Sequence, residues 1–290
     1  MRRSARPSLS LSLLLSLSLL GLSGVRASVV THSGFVAIPT PDAVQQVAHD
    51  GQNVCIVTRS QGVVCGLASA TDGAVTEWPT ALYTSNATWV AVAGKTAWVV
   101  DEWRLLHVGA PAMQPKLKDY TTKHSRAFIS DGEIMCEIAM HWGTYCTFVN
   151  RTVDTPLWFV GDGIPTRSLD VFSSRMVGVT LSGQAYARMW SNGTSSEIPV
   201  GDAPSGLRAI ATDGTFTCVI KNATEAVVCQ QLPQLSWNLL GVRFSQIAIR
   251  AGRLYGVASN GTLWTTKLTA SPEGSVDLAA FSKDEVAARR

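Results

Sequence analysis

The sequence predicts an all-β protein: a six-bladed β-propeller of four-stranded blades, closed by an N-terminal strand that completes the last blade. Three observations carry this reading. Six Cys fall as three evenly spaced pairs, each bracketing a hairpin pattern. The same pattern returns without Cys midway between the pairs, and three of the copies are preceded by Asp-Gly. The repeat is therefore about 40 residues long, the size of one blade.

The pairs are Cys55 and Cys65, Cys136 and Cys146, and Cys218 and Cys229. Cys55-Ile56-Val57-Thr58 leads through Arg59-Ser60-Gln61-Gly62 to Val63-Val64-Cys65, with β-branched flanks around turn residues. Cys136 to Cys146 repeats this around His141-Trp142-Gly143, and Cys218 to Cys229 around Asn222-Ala223-Thr224. Cys equidistant from a hairpin tip face each other across two strands, at a separation that suits a disulfide. Each pair is expected to close on itself. A zinc site is disfavoured, because its Cys ligands sit closer together with His in register.

Between the pairs, Ala97-Trp98-Val99-Val100 turns at Asp101-Glu102-Trp103 and returns as Leu105-Leu106-His107. Val177-Gly178-Val179-Thr180 turns at Ser182-Gly183, and Tyr255-Gly256-Val257-Ala258 turns at Ser259-Asn260-Gly261. A strand precedes every hairpin, around Val47, Val92, Phe128, Val171, Ile210 and Ile247. In three copies it ends at Asp50-Gly51, Asp131-Gly132 or Asp213-Gly214, which is tight-turn chemistry and needs no ligand role. A more variable outer strand follows, as at Trp78-Pro79, Trp158-Phe159 and Trp237-Asn238-Leu239-Leu240.

The sixth copy runs out after Lys267-Leu268, while an extra strand, Gly34-Phe35-Val36-Ala37-Ile38-Pro39, stands before the first. Residues 34–39 are expected to supply the missing outer strand and close the ring. Residues 28–270 then form the propeller, and 271–290 a charged tail with no expected packing.

Residues 1–27 read as a cleaved secretory signal: Arg2, Arg3 and Arg6, then Leu-rich residues 9–22, then Val25-Arg26-Ala27. They hold four of the 24 basic residues and none of the 21 acidic ones, so the remainder has 20 basic against 21 acidic side chains. That balance argues against a nucleic-acid partner, whose phosphates require clustered basic residues. No later stretch is apolar for long enough to span a bilayer as a helix, so direct membrane insertion is not expected. Five of the seven Asn stand in Asn-X-Thr, namely Asn86, Asn150, Asn192, Asn222 and Asn260. This is the acceptor pattern for N-glycosylation and fits a secreted, extracellular protein.

Segments such as Gln46-Val47-Ala48-His49-Asp50-Gly51 before Val63-Val64-Cys65-Gly66-Leu67, and Ile247 through Trp264, resemble the tectonin and regulator-of-chromosome-condensation-like propeller superfamily. Ser60-Gln61-Gly62, Ser182-Gly183 and Ser259-Asn260-Gly261-Thr262-Leu263-Trp264 fit its Ser-X-Gly hairpin tip. The Cys-bearing copies are similar to the extracellular repeats of plant crinkly-type receptors. The resemblance spans residues 34–268 and implies the fold. It carries no glycan-binding residue across by position, because copies one, four and five lack a Trp at the place of Trp264.

Motifs of catalysis are missing: there is no Gly-X-Ser-X-Gly, no His-Glu-X-X-His and no phosphate loop. The chain is therefore expected to be a non-catalytic binding module, without cofactor or metal, for an extracellular glycan or protein. The alternatives are a soluble subunit of a cell-surface complex and a glycoside hydrolase, which needs a carboxylate pair. Asp101, Glu102, Asp162 and Asp202 are the candidates for that pair. Binding is expected at the hairpin tips of copies one to three, at Arg59, Asp101, Glu102, Trp103, His141 and Trp142.

Overall fold

The computed structural model describes residues 28–78, 82, 86–94, 96–101, 104–109, 118–120, 125–139, 143–148, 158–159, 164–173, 175–191, 194–198, 200, 202–232 and 237–272. Every regular element among them is a β-strand. Two short strands come first, β1 (Ser28–His32) and β2 (Val36–Ile38). Sheet 1 holds β3 (Val44–His49), β4 (Asn53–Thr58) and β5 (Val63–Leu67). Sheet 2 holds β6 (Ala87–Ala93), β7 (Thr96–Asp101), β8 (Arg104–Gly109) and β9 (Lys118–Tyr120). In sheet 3 are β10 (Ser125–Ser130), β11 (Ile134–Ala139), β12 (Thr144–Phe148) and β13 (Trp158–Phe159). Sheet 4 follows with β14 (Thr166–Phe172), β15 (Arg175–Thr180), β16 (Ala185–Ser191) and β17 (Thr194–Ile198). Then come β18 (Leu207–Thr212), β19 (Phe216–Lys221), β20 (Ala226–Gln231) and β21 (Asn238–Arg243) in sheet 5. Sheet 6 contains β22 (Gln246–Arg250), β23 (Arg253–Val257) and β24 (Leu263–Pro272), with β1 and β2 both paired to β24.

Within sheets 1 to 5, neighbours in sequence are antiparallel neighbours in space, so their connections are local; sheet 6 adds the non-local pairing of β1 and β2 with β24. The second strand of a sheet is buried on both sides. In β4, Val54, Cys55, Ile56 and Val57 are each fully buried, which is why its sequence is continuously apolar rather than alternating. What buries it is the sheet on either side. Six apolar clusters lie between successive sheets. Cys55, Val57, Val63 and Cys65 meet Val90, Val92, Ala97 and Val99 between sheets 1 and 2. Others join sheets 2 and 3, 3 and 4, 4 and 5, and 5 and 6. The sixth joins Tyr255, Val257 and Leu263 of sheet 6 to Val44, Val54 and Ile56 of sheet 1.

The three Cys pairs sit directly opposite one another in the β4–β5, β11–β12 and β19–β20 ladders. All three are disulfides, with Cα atoms 4.0, 4.1 and 4.0 Å apart, as the hairpin spacing predicts.

The Asp-Gly turns share one construction. Asp50 Oδ1 accepts from the Gln52 and Asn53 amides, Asp131 Oδ1 from Glu133 and Ile134, and Asp213 Oδ1 from Thr215 and Phe216. The residue before each Asp accepts from the Gly amide, through His49 Nδ1, Ser130 Oγ or Thr212 Oγ1. The second carboxylate oxygen then reaches out of its own turn. Asp131 Oδ2 accepts from Ser173 N at 2.7 Å and Asp213 Oδ2 from Gly252 N at 2.6 Å, each in the following sheet. Asp50 does this through Asn53, whose Nδ2 donates to both Asp50 Oδ2 and the Gly94 carbonyl of sheet 2.

Two expectations need correction. The segment at Trp78-Pro79 is expected to be the outer strand of the first four-stranded blade; Pro79 lies outside the described residues, and among those described sheet 1 has three strands and, beyond β5, an isolated bridge between Ala68 and Val75. Gly66 explains the departure. A Cβ there would lie 2.4 Å from Val75 Cγ1 and 2.6 Å from the Glu77 carbonyl, so residues 75–77 fold over the sheet where the side chain is missing. Trp78 Nε1 then donates to Pro39 O, anchoring the segment toward the chain's first strands.

The second correction concerns the join of the chain ends. Val36, Ala37 and Ile38 pair with Thr265, Trp264 and Leu263, as expected. The pairing also continues upstream, where Ser28 to His32 match Pro272 to Leu268. The register slips by one residue between the two stretches, at Ser33–Phe35, and Gly34 takes a φ of +100° there. Strand β24 thus runs to Pro272, past the expected boundaries at Leu268 and 270.

Candidate binding face and central channel

The sheets present two ends. At one end are the first-to-second strand turns, including the Asp-Gly turns; this is the turn face. At the other are the second-to-third strand hairpin tips and the connectors that lead into each next sheet; this is the tip face.

The first strand of every sheet lines one central channel. Its walls include Gln46, Trp89, Phe128, Asp170, Ile210 and Arg250, one from each of β3, β6, β10, β14, β18 and β22, around a narrow cavity of about 60 Å³. Near the turn face the channel is crossed by an ion pair. The Arg250 guanidinium meets Asp170 at 2.9 Å (Nη2 to Oδ1) and 3.2 Å (Nη1 to Oδ2), although sheet 5 stands between their sheets. The same two nitrogens also face the carbonyls of Val171 (Nη2) and of Ile249 and Thr212 (Nη1, which shares its two N–H groups among three acceptors). Each Asp170 oxygen also accepts a backbone amide, from Val171 or Thr212, both at 2.8 Å. Burial, the largest single influence, would lower the Arg250 pKa, but the Asp170 carboxylate together with the charges of Asp131 and Asp213 outweighs it and raises the value.

His49 faces the same end. Its Nδ1 accepts from Gly51 N, which leaves Nε2–H to donate to the Arg253 carbonyl at 3.1 Å. Burial, with the Arg250 charge nearby, pushes its pKa down to about 3, so the ring is neutral at physiological pH. The described carboxylate and imidazole of the channel are therefore fully occupied by the protein itself.

On the tip face, one hydrogen bond recurs. The carbonyl of the left-handed residue in a hairpin tip accepts the amide at the start of the next sheet. Gln61 accepts from Ala87, Gly183 from Leu207, Glu225 from Phe244, and Gly261 from Val44. The four acceptors have φ of 64°, 81°, 57° and 88°.

Beside these clasps lies a ring of β-bulges. The β3–β4, β6–β7, β10–β11, β14–β15 and β18–β19 ladders all slip by one residue at the same point, near the tip-face end of the inner strand. The bulged residues are Gln45, Thr88, Arg126, Arg167 and Arg208. Arg167 Nη2 donates to the Leu181 carbonyl in its own tip. Arg208 pairs with Glu225 at 3.1 Å and donates to the Phe244 and Ser245 carbonyls of the next connector.

The residues expected to bind distribute unevenly. Arg59 is exposed at the first tip. Asp101 is buried, 4 % exposed, at the end of β7, so it is not part of an open surface. Glu102, Trp103, His141 and Trp142 lie outside the described residues, as does Asp162. Asp202 is exposed in the connector before sheet 5, away from Asp101 in sheet 2, so the structure does not bring these two carboxylates together. Of the glycan acceptors, Asn86, Asn222 and Asn260 are exposed, the first just ahead of β6 and the others in the fifth and sixth tips. Asn150 and Asn192 lie outside the described residues. Among those described, no group of three or more His, Cys, Asp or Glu is placed to hold a metal. The bulge arginines escaped the sequence reading, which counted basic residues along the chain. Their even step, at 126, 167 and 208, was the available signal.

Antiparallel sheets arranged around a channel lined by their inner strands define a β-propeller. No protein-family model matches the chain, and no curated protein matches it in sequence. Solved structures do match in shape. The β-propeller domain of Myceliophteria thermophila Cps50 (Swd1) aligns with a TM-score of 0.58 at 8 % identity, over 81 % of this chain and 100 % of that one. Human WBSCR16 aligns with a TM-score of 0.54 at 8 % identity, over 79 % of this chain and 77 % of that one. At this identity the likeness is one of fold.

Proposed function

We propose that the chain is a secreted, N-glycosylated, six-bladed propeller of the tectonin and regulator-of-chromosome-condensation-like kind, acting as a non-catalytic recognition module for an extracellular glycan or protein. The observation that carries the recognition reading is the state of the channel. Catalysis by a propeller glycosidase requires carboxylates free to exchange protons or attack substrate. Here both oxygens of Asp170 are held by Arg250 and two amides, and His49 is neutral with both nitrogens bonded. Among the described residues the channel thus offers no free carboxylate pair, which supports recognition over hydrolysis.

Six sheets, six intervening apolar clusters and the Val44–Gly261 clasp support a closed ring of six blades. Three disulfides support an oxidising compartment, because cytosolic thiols are kept reduced. The exposure of Asn86, Asn222 and Asn260 supports glycosylation. No helix among the described residues is long and apolar enough to cross a membrane. The test is a glycan array run beside a panel of glycosidase substrates, with the protein purified from the medium of a secreting host. Saturable binding without turnover is expected; turnover without stable binding would overturn the reading in favour of a hydrolase.

A further inference from the structure

Three arginines hold the same structural position in three successive sheets. A β-bulge leaves one inner-strand residue unpaired in the ladder and re-aims its side chain. In sheets 3, 4 and 5 that residue is Arg126, Arg167 and Arg208, each half-buried at the tip-face end of its strand. In sheets 1 and 2 it is the uncharged Gln45 or Thr88. The fold therefore concentrates positive charge on one side of the tip face, in a chain whose overall charge outside residues 1–27 is close to neutral.

We propose that Arg126, Arg167 and Arg208 form an arc on the tip face that recognises a sulfated polysaccharide. The proposal rests on the reading of the propeller as an extracellular recognition module and names the ligand class. A guanidinium presents five N–H donors in a planar fork that matches the oxygens of a sulfate or carboxylate. Arg167 uses one of its N–H groups on the Leu181 carbonyl, which orients the fork while leaving donors for a ligand. Arg208 is tied down more fully: the Glu225 carboxylate meets its charge and Nη2 donates to the connector into sheet 6, so it borders the arc while Arg126 and Arg167 supply its binding charge. Arginines fixed by their own backbone contacts lose less side-chain entropy when an anion arrives.

Two observations favour a sulfated chain over an acidic peptide. A peptide draws its affinity chiefly from buried apolar anchors. The exposed large apolar residues among those described, Val36, Leu67, Phe172, Met189 and Leu239, all lie within strands, and none is at a hairpin tip or connector. A linear polyanion needs only charge at intervals, and the arc repeats from sheet to sheet.

Heparin serves as the probe, with polyglutamate as the peptide control, against the full secreted glycoprotein. Wild type is expected to bind heparin, with an affinity that falls as NaCl screens the contacts. The double variant Arg126→Gln, Arg167→Gln should lose affinity by about tenfold per arginine while still unfolding cooperatively, with at most a modest fall in melting temperature from the lost Leu181 contact. Arg208 is left in place because it also ties sheet 5 to sheet 6. The double variant Arg126→Lys, Arg167→Lys should recover part of the loss, since lysine restores charge without the fork. Absence of heparin binding, unchanged affinity in the Gln variant, or equal binding of polyglutamate would each overturn the proposal. If heparin fails while another glycan or protein binds saturably, the arc is wrong and the recognition module stands. If nothing binds, both are wrong.

Discussion

The amide of Val44, at the start of the first sheet, donates to the carbonyl of Gly261, in the last hairpin tip, at 2.9 Å. The same bond joins sheet 1 to sheet 2, sheet 4 to sheet 5 and sheet 5 to sheet 6. The two ends of the repeat thus meet through the device that joins its interior, and this makes the contact a sensitive probe of ring closure.

Substitution of Gly261 tests it. At a φ of +88°, a Cβ would sit 2.7 Å from that of Ala43 and 3.2 Å from the Val44 amide nitrogen. Gly261→Ala should destabilise the fold by about 1–3 kcal/mol through backbone strain and the clash. Chemical denaturation checks this, and an unchanged midpoint would show that the tip does not clasp sheet 1.

Asp170 and Arg250 form a pair whose side chains are only 11 % exposed. Removing one partner leaves the other charged and buried, which costs about 3–5 kcal/mol. Asp170→Ala should therefore lower the melting temperature sharply, whereas the double change Asp170→Leu, Arg250→Met should recover most of the loss. A double-mutant cycle by calorimetry measures the coupling.

His49 predicts acid sensitivity of definite sign. The folded pKa is about 3 against an unfolded value of 6.5, so below 6.5 the unfolded chain binds a proton that the folded chain refuses. Stability is complete above about pH 6.5 and falls toward pH 3, by at most about 1.4 kcal/mol per pH unit from this group. His49→Gln should flatten that part of the profile, measured as unfolding free energy against pH.

The disulfides invite a simpler measurement. Replacing Cys218 and Cys229 by Ser should cost about 2–3 kcal/mol, because the open hairpin regains chain entropy in the unfolded state. Thiol labelling of the wild type after denaturation without reductant should find no free Cys.

Much of this architecture was legible in the chain itself. Hairpin pairing showed in the Cys spacing, and the turns showed in Asp-Gly, because both depend on residues near one another in sequence. The folding of residues 75–77 over Gly66 did not show, since it depends on a missing side chain meeting a segment from beyond the strand. Nor did the burial of Asp101, which reads as a polar tip residue until its neighbours are placed. The Arg250–Asp170 pair spans two blades and has no local signature at all. The bulge arginines lie between. Their spacing was visible, but their common role appears only once five ladders slip at one point.

The pairing of β2 with β24 has a further consequence, for the order in which the fold is made. During synthesis the N-terminal strands appear long before Leu263 to Pro272, the one segment among the described residues with which they pair. The earliest strands must wait, their edges open, until the last ones arrive. Sheets 1 to 5 can form as they emerge, but sheet 6 is completed in a late step that brings β1 and β2 to β24. A permuted chain, with a short linker joining 272 to 28 and new ends in an exposed connector, would carry β24 and β1 in succession and replace that late event with a local hairpin.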